Sequence, residues 1–220
     1  MNRLLFEKTG RAVFISHLDL MRIFQRAFRR AGVMLKHSQG FTPHAYVSIL
    51  IPLSVGVASR CEILEFELDE NESTPLASLP ELLNKTIPEG IRIVQCYQSD
   101  RKAKHLCFLH ADVTMEYDCG VKPGAADAIR ALLGKSELFM DKHTKRGDFV
   151  SQNISEMIRR VDVSESENEI HLDCTVCAQN PSLNPLQLAK AVEIYLPEYS
   201  PDFAKCERLE FLDEEMKPFL

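Results

Sequence analysis

Apolar and polar positions along the chain fall into short blocks whose spacing predicts strands and helices in a definite order. Arg3 to Lys8 reads as a strand closed by the Thr9-Gly10 turn, and Ala12 to Ile15 as a second extended piece. Ser16 followed by Asp19 is an N-cap signal, so a helix is expected from His17 to Ala31, with Gly32 as its left-handed exit. Val33 to His37 and Tyr46 to Ile51 read as strands around the loop Ser38-Gln39-Gly40-Phe41-Thr42-Pro43, and Pro52 ends the second. Glu62 to Leu68 alternates, with Leu64, Phe66 and Leu68 on one face and Glu65 and Glu67 on the other, as a half-buried strand does. A helix over Pro75 to Lys85 and a strand over Ile91 to Tyr97 follow.

The second half runs through a similar series. Leu106 to Tyr117 is a strand, Pro123 to Leu133 a helix ending at Gly134, and Glu137 to Lys142 a strand. Arg159 to Val163 and Glu169 to Cys177 pair as a hairpin around Ser164 to Asn168. Pro185 to Tyr195 is a helix with Pro in its first turn, and Ala204 to Leu212 is the last strand. The series predicts an α+β chain of two tandem ferredoxin-like (βαββαβ) domains, their antiparallel sheets each covered by two helices. The expected domains are 1–100, basic, and 105–220, acidic, joined by the polar linker Ser99 to Lys104.

Charge sharpens that division. The 220 residues carry a net charge of −6, yet residues 1–60 hold nine Lys or Arg against two acids, a net of +7, leaving 17 against 30, or −13, for the rest. Such a chain is not a general polyanion binder, but it can turn one basic face to an anionic partner. With 45% hydrophobic residues it has ample core material. No stretch approaches the length of a membrane span, and the start lacks a secretory layout. Seven scattered cysteines suit reduced thiols, so a cytoplasmic location without membrane contact is expected.

The strongest chemical feature is the helix His17 to Ala31. At about 100° per residue, Arg22, Arg26, Arg29 and Arg30 share one arc while Leu20, Phe24, Ala27, Phe28 and Ala31 occupy the other. Guanidinium forks match phosphate geometry, which makes RNA a natural partner for Arg22, Arg26, Arg29, Arg30 and Lys36. Four phosphate contacts on a single strand would give a salt slope near about −3. The plain alternative is a solvated face whose arginines pair with acids such as Glu62, Glu65 and Glu67. Beside the helix, Gln39, Phe41 and His44 form a loop able to stack on and hydrogen-bond to bases, although Phe41 in a rigid turn is ordinarily tucked into the core.

Other constellations carry less. His17, Asp19 and His44 are the candidates for catalysis on RNA or a nucleotide, but an acid in a first helical turn is explained by the helix dipole. With His37 they offer metal-binding residue types without diagnostic spacing, so no metal and no cofactor are expected. Cys174 and Cys177 lie three apart in a strand, facing opposite ways. Asn180 to Pro185, with Lys145, Arg146 and Arg208, offers a groove lining, though capping of the following helix is the simpler role. Phosphate-loop, dinucleotide-binding and zincin motifs are absent from the sequence.

One further signal is a resemblance. Lys8-Thr9-Gly10-Arg11, Phe14-Ile15-Ser16-His17-Leu18-Asp19-Leu20-Met21, Arg26-Ala27-Phe28-Arg29-Arg30-Ala31-Gly32, Ser38-Gln39-Gly40-Phe41-Thr42-Pro43-His44 and Pro52-Leu53-Ser54-Val55-Gly56-Val57 resemble the radical-SAM-associated protein family, a bacterial domain of unknown function. The resemblance is dense over the first 70 or so residues. It implies a domain encoded beside, or fused to, a radical-SAM enzyme, often near genes of ribonuclease and ribosomal proteins. The chain lacks the C-x-x-x-C-x-x-C motif of the enzyme itself, and the family assigns no catalytic residues. The tandem layout also resembles RNA-handling proteins such as CRISPR repeat-processing endonucleases and pseudouridine synthases. The functional expectation is an accessory, non-catalytic module that binds tRNA or rRNA alongside a radical-SAM enzyme. The alternatives are a subunit that grips an acidic enzyme surface without RNA, and an enzyme using His17, Asp19 and His44.

Overall fold

The computed structural model describes residues 1–143 and 149–220. The described residues form a mixed α+β fold of antiparallel strands with four α-helices. They cluster into two compact units, Met1–Ala103 with Leu220, and Lys104–Phe219. No described helix is long and apolar enough to cross a membrane.

The first unit runs β1 (Asn2–Lys8), α1 (His17–Arg30), β2 (Val47–Ile49), β3 (Val57–Phe66), α2 (Leu79–Asn84) and β4 (Ile91–Gln98), with strand order β4-β1-β3-β2. Leu4 opposes Leu64, and Val47 opposes Phe66. Alternation puts Leu4, Phe6, Leu64 and Phe66 on one face, where Leu20, Phe24, Ala27 and Phe28 of α1 and Leu79 and Leu83 of α2 join them in one core. Phe6 meets Phe24 edge-on at 4.7 Å between ring centroids, and Phe28 meets Phe66 at 5.0 Å. Each large side chain buried this way stabilises by roughly 1.5–3 kcal/mol, which fixes the roll of α1 and hence what its other face presents.

The second unit runs β5 (Phe108–Glu116), α3 (Ala125–Leu133), β6 (Phe139–His143), β7 (Phe149–Asn153), β8 (Ile158–Glu165), β9 (Glu169–Cys177), α4 (Leu186–Tyr195) and β10 (Phe203–Leu212). Its strand order is β10-β5-β9-β8, with β6 and β7 forming a separate two-stranded ribbon. Leu109, Ala111, Val113 and Met115 of β5 and Ile170, Leu172, Cys174 and Val176 of β9 are buried, as are Ile129, Leu132 and Leu133 of α3 and Leu188 and Val192 of α4.

Three local expectations fail. Ala12 to Ile15 is not extended: a 3-10 turn spans Gly10–Phe14, entered through Gly10 at φ +54°. The buried Lys8 ammonium donates to the carbonyls of Val13 (3.1 Å) and Ile15 (2.9 Å), which holds that turn. Val33 to His37 makes only isolated bridges, Leu35 to Leu68 and His37 to Ala45. The ribbon strand β7 is missing from the sequence reading altogether.

Candidate functional site

The basic face of α1 is built from its two ends. At the start, Asp19 N–H donates to Ser16 Oγ (3.2 Å) while the Ser16 hydroxyl donates to Asp19 Oδ2 (2.8 Å), a reciprocal cap. At the finish, Val33 N–H donates to Phe28 O (3.0 Å) and Gly32 N–H to Arg29 O (3.2 Å), with Gly32 at φ +74°. That 6→1 closure requires a left-handed residue, which glycine adopts without a Cβ penalty.

Between these ends the four arginines are exposed, but they are not equivalent. Arg22 Nη1 donates to Asp19 Oδ1 at 2.9 Å. The side chains of Arg26, Arg29 and Arg30 have no ion pair or hydrogen bond among the described residues. The acids named as quenchers are otherwise placed. Glu65 binds Arg3 at 2.7 Å, Glu67 binds Lys36 at 2.8 Å, and Glu62 is buried. Lys36 therefore differs from the helix arginines: Glu67 holds it and raises its pKa, and its ammonium lies 5.7 Å from the Tyr46 ring centroid.

The segment after α1 returns along it. Tyr46 N–H donates to Lys36 O, Ser38 N–H to His44 O (2.8 Å), and His44 N–H to Ser38 Oγ (3.0 Å), so the loop is pinned at its base. Gly40 sits at φ +135°. Phe41 is fully exposed, which corrects the expectation of a ring tucked into the core: the pinned base projects the loop tip outward. A groove of about 500 Å³ lies between the last turns of α1 and this segment, lined among others by Gln25, Phe28, Arg29, His37, His44 and Asp69. It brings Arg29 and His44 together. Arg22, Arg26, Arg30, Lys36, Gln39 and Phe41 lie outside its lining. Gln25 and Asp69 were not singled out by the sequence, and His37 only as a metal-binding residue type, although Gln25 stands four residues before Arg29 and so shares its helix face.

His17, Asp19 and His44 are not assembled into a catalytic set. His17 and Asp19 begin α1 whereas His44 lines the groove with residues of its end, and the 1.5 Å rise puts about 18 Å between His17 and Arg29. Asp19 is a poor base: first the Ser16 hydroxyl and then the Arg22 guanidinium hold its carboxyl below the usual range. His17 Nδ1 is buried and lacks a hydrogen-bond partner among the described residues. Among those residues no group of three His, Cys, Asp or Glu side chains is disposed to hold a metal ion.

In the second unit the cysteine pair and the basic residues picked out by the sequence do not form a site among the described residues. Cys174 and Cys177 are both buried. Burial pushes the Cys174 thiol up, and it donates to Ala111 O; Cys206, also buried, is pushed up to about 12. Arg208 is buried, so it does not line an open groove, and Lys145 and Arg146 lie outside the described residues. Asn184 Oδ1 accepts from Leu186 N–H (3.2 Å), the capping role.

The family model described as "Uncharacterized protein conserved in bacteria (DUF2344)" matches residues 2–185. No curated protein matches the sequence. Among solved structures the chain is similar to a Cbf5-Nop10-Gar1 complex, at 10% identity and a TM-score of 0.51, covering 96% of this chain and 48% of that one. An archaeal box H/ACA sRNP Nop10-Cbf5 complex gives 12% identity and a TM-score of 0.43, covering 94% and 46%. The chain thus spans about half the length of these two, and likeness at such identity bears on the fold alone.

Proposed function

The chain belongs to the family of uncharacterized bacterial proteins whose model spans residues 2–185, and we propose that its first unit docks structured RNA, tRNA or rRNA, through the arginine face of α1. One observation carries this reading: Arg26, Arg29 and Arg30 stand exposed on one helix face, and none of the three guanidiniums is ion-paired among the described residues, Arg26 feeling Asp19 only at longer range. Three guanidiniums held by a buried stripe on the same helix form a phosphate-binding surface that is pre-organised and unneutralised. Arg22 joins it on release from Asp19, an exposed pair of the kind worth little, and Gln39, Phe41 and His44 add base contacts.

The rest of the reading extends from there. The order β4-β1-β3-β2, matched by β10-β5-β9-β8, supports two ferredoxin-like domains, the second carrying the β6–β7 ribbon as an insertion. Four buried thiols of seven support a reducing, cytoplasmic setting. The family resemblance supports a radical-SAM enzyme as the protein that acts on the docked RNA, this chain serving as a non-catalytic accessory. Binding of labelled tRNA and an rRNA hairpin to the wild type and to the variant R26A/R29A/R30A tests the proposal. The expected result is a loss of about tenfold or more at low salt. Equal binding overturns it, and co-purification with the enzyme that survives nuclease but not salt would instead mark the arginine face as a protein dock.

A further inference from the structure

We propose that the groove beside α1 is a nucleotide site that receives one unpaired base of the bound RNA. This rests on the RNA-docking reading and adds the ligand that the groove takes. A cavity of about 500 Å³ is within the size range of small-molecule sites. Val33 and Leu35 line it with a small apolar surface, which suits the face of a base. Its walls are polar and unspent: Gln25 and Arg29 on the helix side and His44 on the loop side have no side-chain partners among the described residues. Gln25 and Arg29 are one turn apart on the same face, so an amide able to read a base edge and a guanidinium able to hold the adjoining phosphate stand side by side.

The remaining polar groups have defined roles. His37 Nδ1 lies 2.8 Å from Leu35 O. A carbonyl only accepts, so Nδ1 carries the proton, which leaves Nε2 as the ring nitrogen turned to a ligand. Asp69 Oδ1 is occupied by the backbone and side-chain N–H groups of Asn71, both at 3.0 Å, which fixes its carboxylate. With its negative charge and the C-terminal end of α1 both at the groove, phosphate is disfavoured deep inside and favoured at Arg29. A base bearing an amino group, offered to Asp69 and His37, suits the interior better than uracil.

Titration of the full chain with AMP, UMP and ribose 5-phosphate, followed by NMR shifts of His37 and His44, tests the assignment. Saturable AMP binding is expected, with UMP and ribose 5-phosphate weaker. Q25A/H44A, which changes two exposed side chains, should weaken AMP by about tenfold or more. No saturation by AMP, or AMP binding equal in Q25A/H44A and wild type, overturns the site even if tRNA binding still depends on the arginines. The variant R26A/R30A separates the two readings. It should lose tRNA affinity and keep AMP affinity, because neither arginine lines the groove; retained tRNA affinity with retained AMP affinity would sink the dock and leave the nucleotide site standing.

Discussion

Arg3 and Arg26 show how one residue type serves two ends. Arg3 is fully buried and donates to Glu65 Oε1 twice (3.0 and 2.7 Å), to Ser99 Oγ (3.0 Å) and to Arg101 O (2.5 Å). Arg3→Met strands those acceptors and should destabilise by about 3 kcal/mol or more, whereas exposed Arg26→Ala should stay within about 0.5 kcal/mol. Urea unfolding of the two variants checks the contrast, and similar midpoints would refute it. Glu72 makes a second residue-scale case. The Thr74 hydroxyl first, then the backbone N–H groups of Met34 and Thr74, hold its carboxylate at about 2 against an ordinary 4.5. A depressed folded pKa gives stability that is present above about pH 4.5 and is lost as pH falls toward about 2. Solvent screening keeps the effect modest, because the side chain is only half-buried. Glu72→Gln should flatten this acid limb in unfolding measurements between those pH values, and parallel curves for the two proteins would count against the staple.

At the scale of the element, sequence and structure coincide from cap to cap in α1 and from end to end in β9. The period of α1, the Ser16-to-Asp19 cap and Gly32 are local signals that need no tertiary partner to read. The arginine face was legible for the same reason. The groove was not, because Gln25, His37 and Asp69 meet only once the chain after Gly32 folds back. Strand β3 begins at Val57, five residues before the alternating run: Val57, Ser59 and Cys61 are buried in alternation, but with Ser59 on the buried side and Ala58 on the other the apolar pattern does not show it, and burial then runs unbroken from Cys61 to Leu64. β7 stayed hidden as a five-residue strand paired only with β6. The face of α1 also makes a stability prediction. Like charges at Arg22–Arg26 and Arg26–Arg30 repel by a few tenths of a kcal/mol per pair, and Arg29 and Arg30 gain a similar amount from the C-terminal dipole. These offset one another, so R26A/R29A/R30A should unfold within about 0.5 kcal/mol of the wild type while losing RNA affinity. A drop well beyond that would mean that the arginines hold the fold together.

Across the whole molecule the acids set limits on the arginine face. The first unit's residues 1–103 hold 13 basic against 11 acidic side chains, a net of +2, and the remainder holds 13 against 21, or −8, so the arginine face of α1 belongs to a unit that is close to neutral. Within the second unit, Glu207 opposes Asp112, Asp112 opposes Asp173, and Asp173 opposes Asp162, a row of four carboxylates across four strands that draws Arg160, His110 and His171 to it as partners. RNA bound to such a chain makes few contacts, and the count can be read from salt. Three free arginines at about 0.7 each give a slope of log affinity on log salt near about −2 for a single strand, shallower than the −3 that four would give. Asp19→Asn removes the carboxylate that holds Arg22 and leaves a residue able to accept from Ser16. It should raise RNA affinity at low salt and steepen the slope toward about −3. Binding isotherms at a series of salt concentrations decide the matter: a wild-type slope of about −6 would mean that surfaces beyond α1 engage the RNA, and a slope unchanged by Asp19→Asn would remove Arg22 from the dock.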